Sequence, residues 1–132
     1  MITTFHYSAA HKSPENAAFL KSFAATNPNG GRPNFMAVAA YDGMAAIYEV
    51  ARKLNGKIDG DKAMEAAKSF KFASPRGPIS IDPETRDIVM NEYLAEVVKG
   101  KDGKLHQKVL GKIDNVKDPC KEQKVGPCAP KS

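Results

Sequence analysis

Hydrophobic and polar positions in the first part of the chain predict a strand followed by a helix. Residues 1–7 are rich in β-branched and aromatic side chains, which is typical of a β-strand. Ser13, Pro14 and Glu15 then provide an N-cap, a first-turn proline and a first-turn acid, so a helix is predicted to begin there. It ends near Thr26. The apolar face of this helix consists of Ala17, Phe19, Leu20, Phe23 and Ala24.

A longer helix is predicted over residues 35–54, which are rich in alanine and methionine. Gly56 suits the position after its last turn, because glycine adopts the left-handed conformation readily. Residues 59–61, Asp-Gly-Asp, offer the cap of a shorter helix over residues 62–70, with Ala63, Ala66, Ala67 and Phe70 inward. The long helix has an apolar face broad enough to pack on a sheet. That face consists of Phe35, Val38, Ala39, Ile47, Val50, Ala51 and Leu54.

The second half of the chain predicts β structure joined by short turns. Strands are expected at residues 78–81 and 88–98, and Asp82 in the turn between them can accept hydrogen bonds from its own downstream backbone. Residues 100–103, Gly-Lys-Asp-Gly, predict a hairpin turn from which residues 105–113 return as another strand.

Length and charge narrow the classes of function. The 132 residues are expected to form one compact unit. Residues 1–98 hold 11 Lys/Arg and 11 Asp/Glu, whereas residues 99–132 hold nine lysines and four acids, which is the whole net charge of +5. This basic segment has no aromatic side chain for stacking on bases and no arginine. We therefore interpret it as a solvated surface and expect no nucleic-acid partner, and we keep polyanion binding through the basic C-terminal region as an alternative.

The chain after Asn115 is predicted to be an exposed tail that contains both cysteines. Seven residues separate Cys120 from Cys128, and Gly126 and Pro127 can turn the chain back between them. The spacing does not fit a CxxC redox motif, and no second pair of ligands completes a zinc site. We favour a Cys120–Cys128 disulfide formed in an oxidising compartment, with two free thiols as the alternative.

The sequence shows no pattern of catalytic or metal-binding residues. Ser74 and Ser80 have no neighbouring His-Asp pattern that would activate a nucleophile. His6 and His11 do not share a helix face, and no carboxylate is spaced as a third ligand. The glycines of residues 27–33 occur without a phosphate-binding motif, so this segment is interpreted as a loop. We expect no enzyme activity, no metal and no cofactor.

Two segments carry a resemblance to a known protein family. Residues 35–48, FMAVAAYDGMAAIY, resemble the helix with the core pattern A-x-x-Y-D-A-M in periplasmic solute-binding proteins of the branched-chain amino-acid type. Residues 74–93, SPRGPISIDPETRDIVMNEY, are similar to the family's hairpin F-x-SPRG-x-I-x-ID-x-TR-D. The order and separation of the two segments also match, with the loop of residues 56–60 between them. The resemblance covers residues 2–118 and points to the C-terminal part of a solute-binding protein of an ABC transporter.

The resemblance implies an α/β fold. Proteins of this family have two Rossmann-like lobes joined by three crossover strands, and they close on a small ligand between the lobes. This chain would form a partial type 1 periplasmic-binding-protein fold, with helices packed on a Rossmann-like sheet and β-hairpins at the C-terminal end. Residues 1–118 would be the C-terminal segment, with parts of both lobes and the hinge crossovers. Residues 119–132 would be a lysine-rich, cysteine-containing tail.

The same resemblance assigns parts of the chain to the two lobes. Residues 1–7 would be the last strand of the second lobe, and residues 12–88 would return to the first lobe. Residues 88–94 would form the third crossover, and residues 95–113 a closing hairpin on the second lobe. The opening strands of the first lobe have no counterpart here, so we expect the missing lobe or self-association to cover the exposed apolar faces.

The resemblance also implies which side chains face the ligand. In related proteins, the end of the first of these strands faces the cleft, and the start of the long helix lies near the hinge. The predicted ligand-binding residues are Phe5, His6, Tyr7, Phe35, Met36 and Tyr41. An aromatic wall would suit an apolar side chain or an aromatic acid, because burial in a closed cleft supplies affinity. Asp42 is interpreted as a helix-to-hinge hydrogen bond and Arg76 as part of a turn.

The expected function is substrate binding for an ABC importer, by hinge closure on an amino acid or a small carboxylate such as an aromatic acid. The expected partners are this ligand and a membrane permease, and the expected location is the periplasm. Residues 1–12 have no signal-peptide pattern, so a leader is expected to lie outside this chain. The alternative is a stand-alone, oligomeric module for ligand sensing or protein interaction.

Overall fold

The computed structural model describes residues 1–57 and 59–129. Residue 58 of the predicted loop and residues 130–132 of the predicted tail lie outside the described residues. The helices are α1 (Pro14–Thr26), α2 (Phe35–Lys53), α3 (Gly60–Lys68) and α4 (Pro119–Gln123). The strands are β1 (Ile2–Phe5), β2 (Lys71–Ser74), β3 (Gly77–Ile81), β4 (Ile88–Lys99) and β5 (Leu105–Val116). The predicted α/β class is confirmed.

The long strand β4 organises the sheet. One edge of β4 pairs with β3 at residues 88–89 and with β1 at residues 93–96, where Phe5 lies opposite Tyr93. β5 pairs with residues 90–99 of β4, and β2 continues the sheet beyond β3. These pairings are all antiparallel. A single strand therefore connects β2 and β3 with β1 and β5.

Two of the helices begin at predicted caps, and α2 begins after Asn34, a cap that the sequence analysis did not identify. The side chain of Ser13 accepts a hydrogen bond from a backbone N–H in the first turn of α1, and Asn34 and Asp59 cap α2 and α3 in the same way. α3 ends at Lys68, two residues before its predicted end, because the chain then turns into β2. Phe70 is nevertheless buried, as predicted.

A small core joins the segment after β1 to α1 and α2. Tyr7, Phe19 and Val38 form this cluster, and each is at most 4% exposed. Asn16, also fully buried, accepts a hydrogen bond from the Tyr7 hydroxyl over 3.1 Å and donates one to the carbonyl of His11 over 2.7 Å. This asparagine satisfies polar groups that would otherwise be left unpaired in the core.

The predicted apolar face of α2 is only partly correct. Val38 is fully buried, but Ile47 is 59% exposed. Ile47 lies nine positions after Val38 along the helix. At about 100° per residue this is two and a half turns, so the two side chains point in opposite directions. The strands formed by this chain lie on the side of Val38 and Asp42, and they leave the opposite face uncovered.

A tight turn connects β2 to β3. The sequence did not predict β2, and the turn predicted at residues 74–77 is bounded by two paired strand ends, Ser74 and Gly77. Gly77 has φ +103°, and a Cβ there would lie 2.7 Å from the hydroxyl oxygen of Tyr93. That hydroxyl donates a 2.7 Å hydrogen bond to the backbone carbonyl of Arg76. The turn therefore needs glycine for its backbone conformation and for the approach of Tyr93.

The chain beyond Asn115 is ordered more than predicted. β5 continues to Val116, and Asp118 caps the short helix α4. The predicted disulfide between Cys120 and Cys128 is present, with the two Cα atoms 5.6 Å apart. Most of residues 117–129 are exposed, as predicted, but the segment is not an unstructured tail, because the aspartate cap and the disulfide give it local structure.

Two ion pairs attach this segment to the turn between β3 and β4. Lys117 Nζ lies 2.9 Å from Asp82 Oδ2, and Lys121 Nζ lies 2.7 Å from Asp87 Oδ2. Asp82 also accepts hydrogen bonds from the backbone N–H groups of Glu84 and Thr85, as the sequence predicted. We call residues 117–128 the C-terminal clasp.

Candidate ligand-binding site

Three of the predicted ligand-binding residues meet in one aromatic cluster. Phe5 stacks on His6 with ring centroids 4.8 Å apart, and it contacts Phe35 edge to face at 5.1 Å. His6 and Phe35 are 6.0 Å apart, again edge to face. Phe5 is 37% exposed and Phe35 is 38% exposed. The aromatic cluster, defined as Phe5, His6 and Phe35, therefore presents ring surface to solvent.

The cluster lies where a strand ends and a helix begins. Phe5 is the last residue of β1, and Phe35 is the first residue of α2. Asn34 caps this helix, and its Oδ1 accepts hydrogen bonds from the backbone N–H groups of Met36 and Ala37. The N-terminal end of a helix carries partial positive charge and stabilises nearby anionic groups. The arrangement can therefore hold a flat apolar ring beside a negative charge.

His6 provides the polar group of the cluster. Burial lowers the pKa of His6, and the positive charge of Arg76 lowers it further. His6 is therefore neutral at pH 7, with one ring nitrogen that donates a hydrogen bond and one that accepts. It can pair with a hydroxyl or a carboxylate without contributing charge.

Arg76 forms a buried ion pair near His6, in which the carboxylate of Asp42 balances the charge of the guanidinium. Arg76 Nε donates to Asp42 Oδ2 over 2.7 Å, and Nη2 lies 2.6 Å from the same oxygen. Both side chains are about 95% buried. Burial raises the pKa of Asp42, against the opposing effects of the Ser74 hydroxyl and Arg76. The pair joins α2 to the β2–β3 turn, so Arg76 is committed to the fold rather than available to a ligand.

The remaining predicted residues lie elsewhere. Tyr7 belongs to the core, where its ring packs 6.2 Å from Phe19. Tyr41 packs between Phe19 and Phe72, with centroid distances of 5.0 and 6.1 Å. Met36 is 66% exposed at the start of α2. The structure thus brings Phe5, His6 and Phe35 together, while Tyr7 and Tyr41 face other aromatic side chains.

A groove that the sequence did not predict lies between residues 10–12, β3 and the β4–β5 ribbon. Its volume is about 850 Å³, which is within the range of small-molecule sites. Tyr93 and Leu110 contribute apolar surface, and Lys108 and Lys112 contribute charge. No aspartate or glutamate occurs among the described residues that line it. The lysine excess after residue 98 was the one sequence signal that bears on this groove.

The described residues contain neither a metal-binding group nor a membrane-spanning helix. Within residues 1–57 and 59–129, no three His, Cys, Asp or Glu side chains form a group that could hold a metal ion. None of the helices in this part of the chain is both long enough and apolar enough to cross a membrane.

Comparison with known proteins gives a family match and close relatives. A family model described as periplasmic binding protein matches residues 1–104. The Leu/Ile/Val-binding protein homolog 6 of Brucella abortus (strain 2308) is 44% identical over 119 residues, which make up 90% of this chain and 30% of that protein. The chain therefore spans less than a third of the length of this relative.

Two solved structures resemble the chain in both sequence and fold. A solute-binding protein of an ABC transporter from Rhodopseudomonas palustris BisB5, in complex with 3,4-dihydroxybenzoic acid, is 49% identical with a TM-score of 0.85. The match covers 91% of this chain and 32% of that one. A similar protein from Rhodopseudomonas palustris HaA2, in complex with p-hydroxybenzoic acid, is 44% identical with a TM-score of 0.72, over 87% of this chain and 31% of that one.

Proposed function

Because the chain belongs to the periplasmic binding protein family, we propose that it forms part of the substrate-binding component of an ABC importer. Family membership confirms the resemblance and the predicted partial type 1 periplasmic-binding-protein fold. The chain covers 30% of the Brucella abortus relative, so the uptake function is proposed for a two-lobed protein of which these residues form one part. Hinge closure over a ligand would produce the form that a membrane permease recognises.

The proposed ligand is a small aromatic carboxylate. The observation that carries this choice is the half-exposed aromatic cluster of Phe5, His6 and Phe35. A benzoate ring would pack on the two phenylalanines, and His6 would share a hydrogen bond with a ring hydroxyl or the carboxylate. The start of α2 favours the negative charge.

Two solved relatives support the aromatic class, whereas the Brucella abortus relative is named for the branched-chain amino acids, the other class that the sequence left open. Two structures at 44–49% identity contain hydroxylated benzoic acids. The aromatic cluster offers ring surface and one neutral polar group, whereas the charge of Arg76 is taken up by Asp42. An aliphatic amino acid would need a partner for its ammonium group, and the cluster contributes no carboxylate.

We assign supporting roles to the other predicted residues. Tyr7 and Tyr41 would hold the core and α2 in place, and Met36 stays a candidate at the rim of the aromatic cluster. No catalytic role is proposed for any residue. The Cys120–Cys128 disulfide supports a periplasmic location, because disulfides persist in oxidising compartments.

The uncovered face of α2 favours the alternative of an associating module. Met36 and Ile47 are 66% and 59% exposed, and such an apolar surface is normally covered by other protein. In the importer proposal, the rest of the first lobe covers it; in the alternative, a second copy does. Polyanion binding has less support, because Lys112, Lys117 and Lys121 already pair with carboxylates.

Calorimetric titration of the full natural protein that contains this sequence tests the ligand class. We expect 4-hydroxybenzoate and 3,4-dihydroxybenzoate to bind more tightly than leucine. Phe35→Ala should weaken aromatic-acid binding by about tenfold, because an aromatic contact and its buried area are lost. Tyr48→Ala, which removes an exposed aromatic ring from the other end of the same helix, is the matched control and should leave affinity unchanged. Tighter binding of leucine, or unchanged affinity in Phe35→Ala, would contradict the proposal.

A further inference from the structure

A second polar cluster connects two distant parts of the chain. Arg32 Nη1 lies 3.1 Å from His106 Nδ1, and His106 Nε2 lies 2.8 Å from Asp102 Oδ1. Arg32 Nη2 is also 3.7 Å from Asp102 Oδ2. Arg32 lies in the loop before α2, whereas Asp102 and His106 belong to the β4–β5 hairpin. The contact therefore spans 74 residues of sequence.

The tip of the hairpin is shaped to hold these side chains. A Cβ at Gly100 would lie 2.5 Å from His106 Cδ2 and 2.7 Å from Asp102 Oδ1, so a side chain there would displace the ring and the carboxylate from this arrangement. The Oδ1 atom of Asp102 also accepts a hydrogen bond from the backbone N–H of Lys104. His106 and this N–H are the main groups that lower the pKa of Asp102. The hairpin thus presents an oriented carboxylate and imidazole to Arg32.

The geometry selects one form of the imidazole. The Asp102 carboxylate only accepts hydrogen bonds, so the Nε2 atom of His106 that faces it must carry a hydrogen. The Arg32 guanidinium only donates, so the Nδ1 atom of His106 that faces it must carry none. Neutral His106 with its hydrogen on Nε2 satisfies both partners. Protonation at Nδ1 would turn an N–H and a positive charge toward the Arg32 guanidinium.

Several charged groups surround His106. Arg32 faces it from the loop before α2, and Asp102 faces it from the hairpin turn. Lys12, His11 and Lys108 share with it the lining of the groove described above. Asp102 is the one carboxylate in this described set.

We propose that Arg32, Asp102 and His106 form a latch between the two lobes that stabilises the closed, ligand-bound arrangement. The inference rests on the proposed function and on its lobe assignment, in which Arg32 belongs to the first lobe and the hairpin to the second. The latch exists only while the two lobes are this close. Its members are positioning residues, because they set the lobe angle without touching the ligand.

Affinity measurements on the full natural protein test the latch. Exposed ion pairs contribute modestly, so Arg32→Gln and His106→Ala should each weaken 4-hydroxybenzoate binding by about two- to fivefold. The double variant should lose less affinity than the sum of the two single losses, because both changes break the Arg32–His106 contact. Lys101→Gln removes a charge from the same turn, where no ion pair involving Lys101 is found among the described residues, and should leave affinity unchanged.

Two further measurements distinguish a latch from general damage. Thermal melting of the ligand-free variants should match the parent protein, and energy transfer between dyes placed on the two lobes should report a more open average.

The outcomes separate this inference from the proposed ligand. If the parent protein binds no aromatic acid, the proposed function is wrong. The distances between the dyes in the ligand-free variants still test the latch in that case. Unchanged dye distances in Arg32→Gln, or affinity equal to or tighter than that of the parent, would overturn the latch.

Discussion

The two faces of α2 differ in a way that reverses the usual expectation for a helix on a domain surface. The inward face holds Val38, which is fully buried, and Asp42, which is paired with Arg76. The outward face carries Met36 and Ile47, which are 66% and 59% exposed. The polar, charged contact is therefore inside, and much of the apolar surface is outside.

The difference is expected if other protein covers the outward face, as we propose. The chain covers about a third of the solved relatives, and its strands lie on one side of α2 only. The Asp42–Arg76 pair fixes the helix to the β2–β3 turn on that side. The outward face contributes no comparable contact within the described residues, so the two faces should respond very differently to substitution.

The largest expected effect comes from breaking the inward ion pair. Arg76→Met leaves the Asp42 carboxylate buried without its cation, and the free energy of unfolding should fall by about 3–5 kcal/mol. Urea unfolding monitored by circular dichroism measures the loss. It should be smaller at about pH 4 than at pH 7, because burial raises the pKa of Asp42 and a protonated carboxyl needs no cation.

A double variant separates the lost charge partner from lost packing. Asp42→Leu combined with Arg76→Met removes both charges, and it should recover much of the stability lost in the single variant. A single variant that unfolds within about 1 kcal/mol of the parent would show that the pair does not hold α2 in place.

A matched pair of truncations compares the two faces directly. Val38→Ala should lower the free energy of unfolding by about 2 kcal/mol, because it leaves a cavity among Tyr7 and Phe19. Ile47→Ala, although it removes more atoms, should cost less than about 0.5 kcal/mol, because the side chain is largely exposed in this chain. Equal losses in thermal or urea unfolding of the 132-residue chain would mean that other protein covers the outward face.

The smallest expected effect concerns the ion pair between Lys117 and Asp82. Lys117 and the backbone N–H groups of Glu84 and Thr85 lower the pKa of Asp82 to about 2. Because the folded pKa lies below the ordinary value of 3.8, this stabilisation is present above that value and is lost as the pH falls through about 2.

Carboxyl carbon shifts followed by NMR during a pH titration would measure this contrast. Asp82 should titrate near pH 2, and Lys117→Gln should move its midpoint back toward 3.8. Asp42 should titrate above the ordinary aspartate value. A midpoint for Asp82 that does not respond to Lys117→Gln would mean that the C-terminal clasp is not attached through this pair.

Local signals in the sequence predicted most of the helices. Ser13 and Asp59 cap their helices as expected, since a cap depends only on residues within one turn. β2 was missed because its four residues, Lys71–Ser74, have no alternating pattern and are stabilised by pairing with β3. The sequence predicts only an exposed tail where the clasp forms, because Lys117 and Lys121 pair with aspartates more than 30 residues away in the chain.

The candidate site was predictable only in part, and for a similar reason. The resemblance selected Phe5, His6 and Phe35, which the structure brings together. The same reasoning also selected Tyr7, but β1 ends at Phe5, and Tyr7 beyond it packs against Phe19 in the core. Contacts such as Arg32 with His106 depend on how the whole chain folds, and no spacing in the sequence indicates them.

The glycine at position 77 has a consequence for how related sequences can diverge. A side chain there would displace the Tyr93 hydroxyl from the carbonyl of Arg76, and Arg76 in turn holds Asp42. Four positions on three separate elements are thus connected by one turn. Selection would then act on these positions together, so that a substitution at one of them is tolerated only after the others have changed.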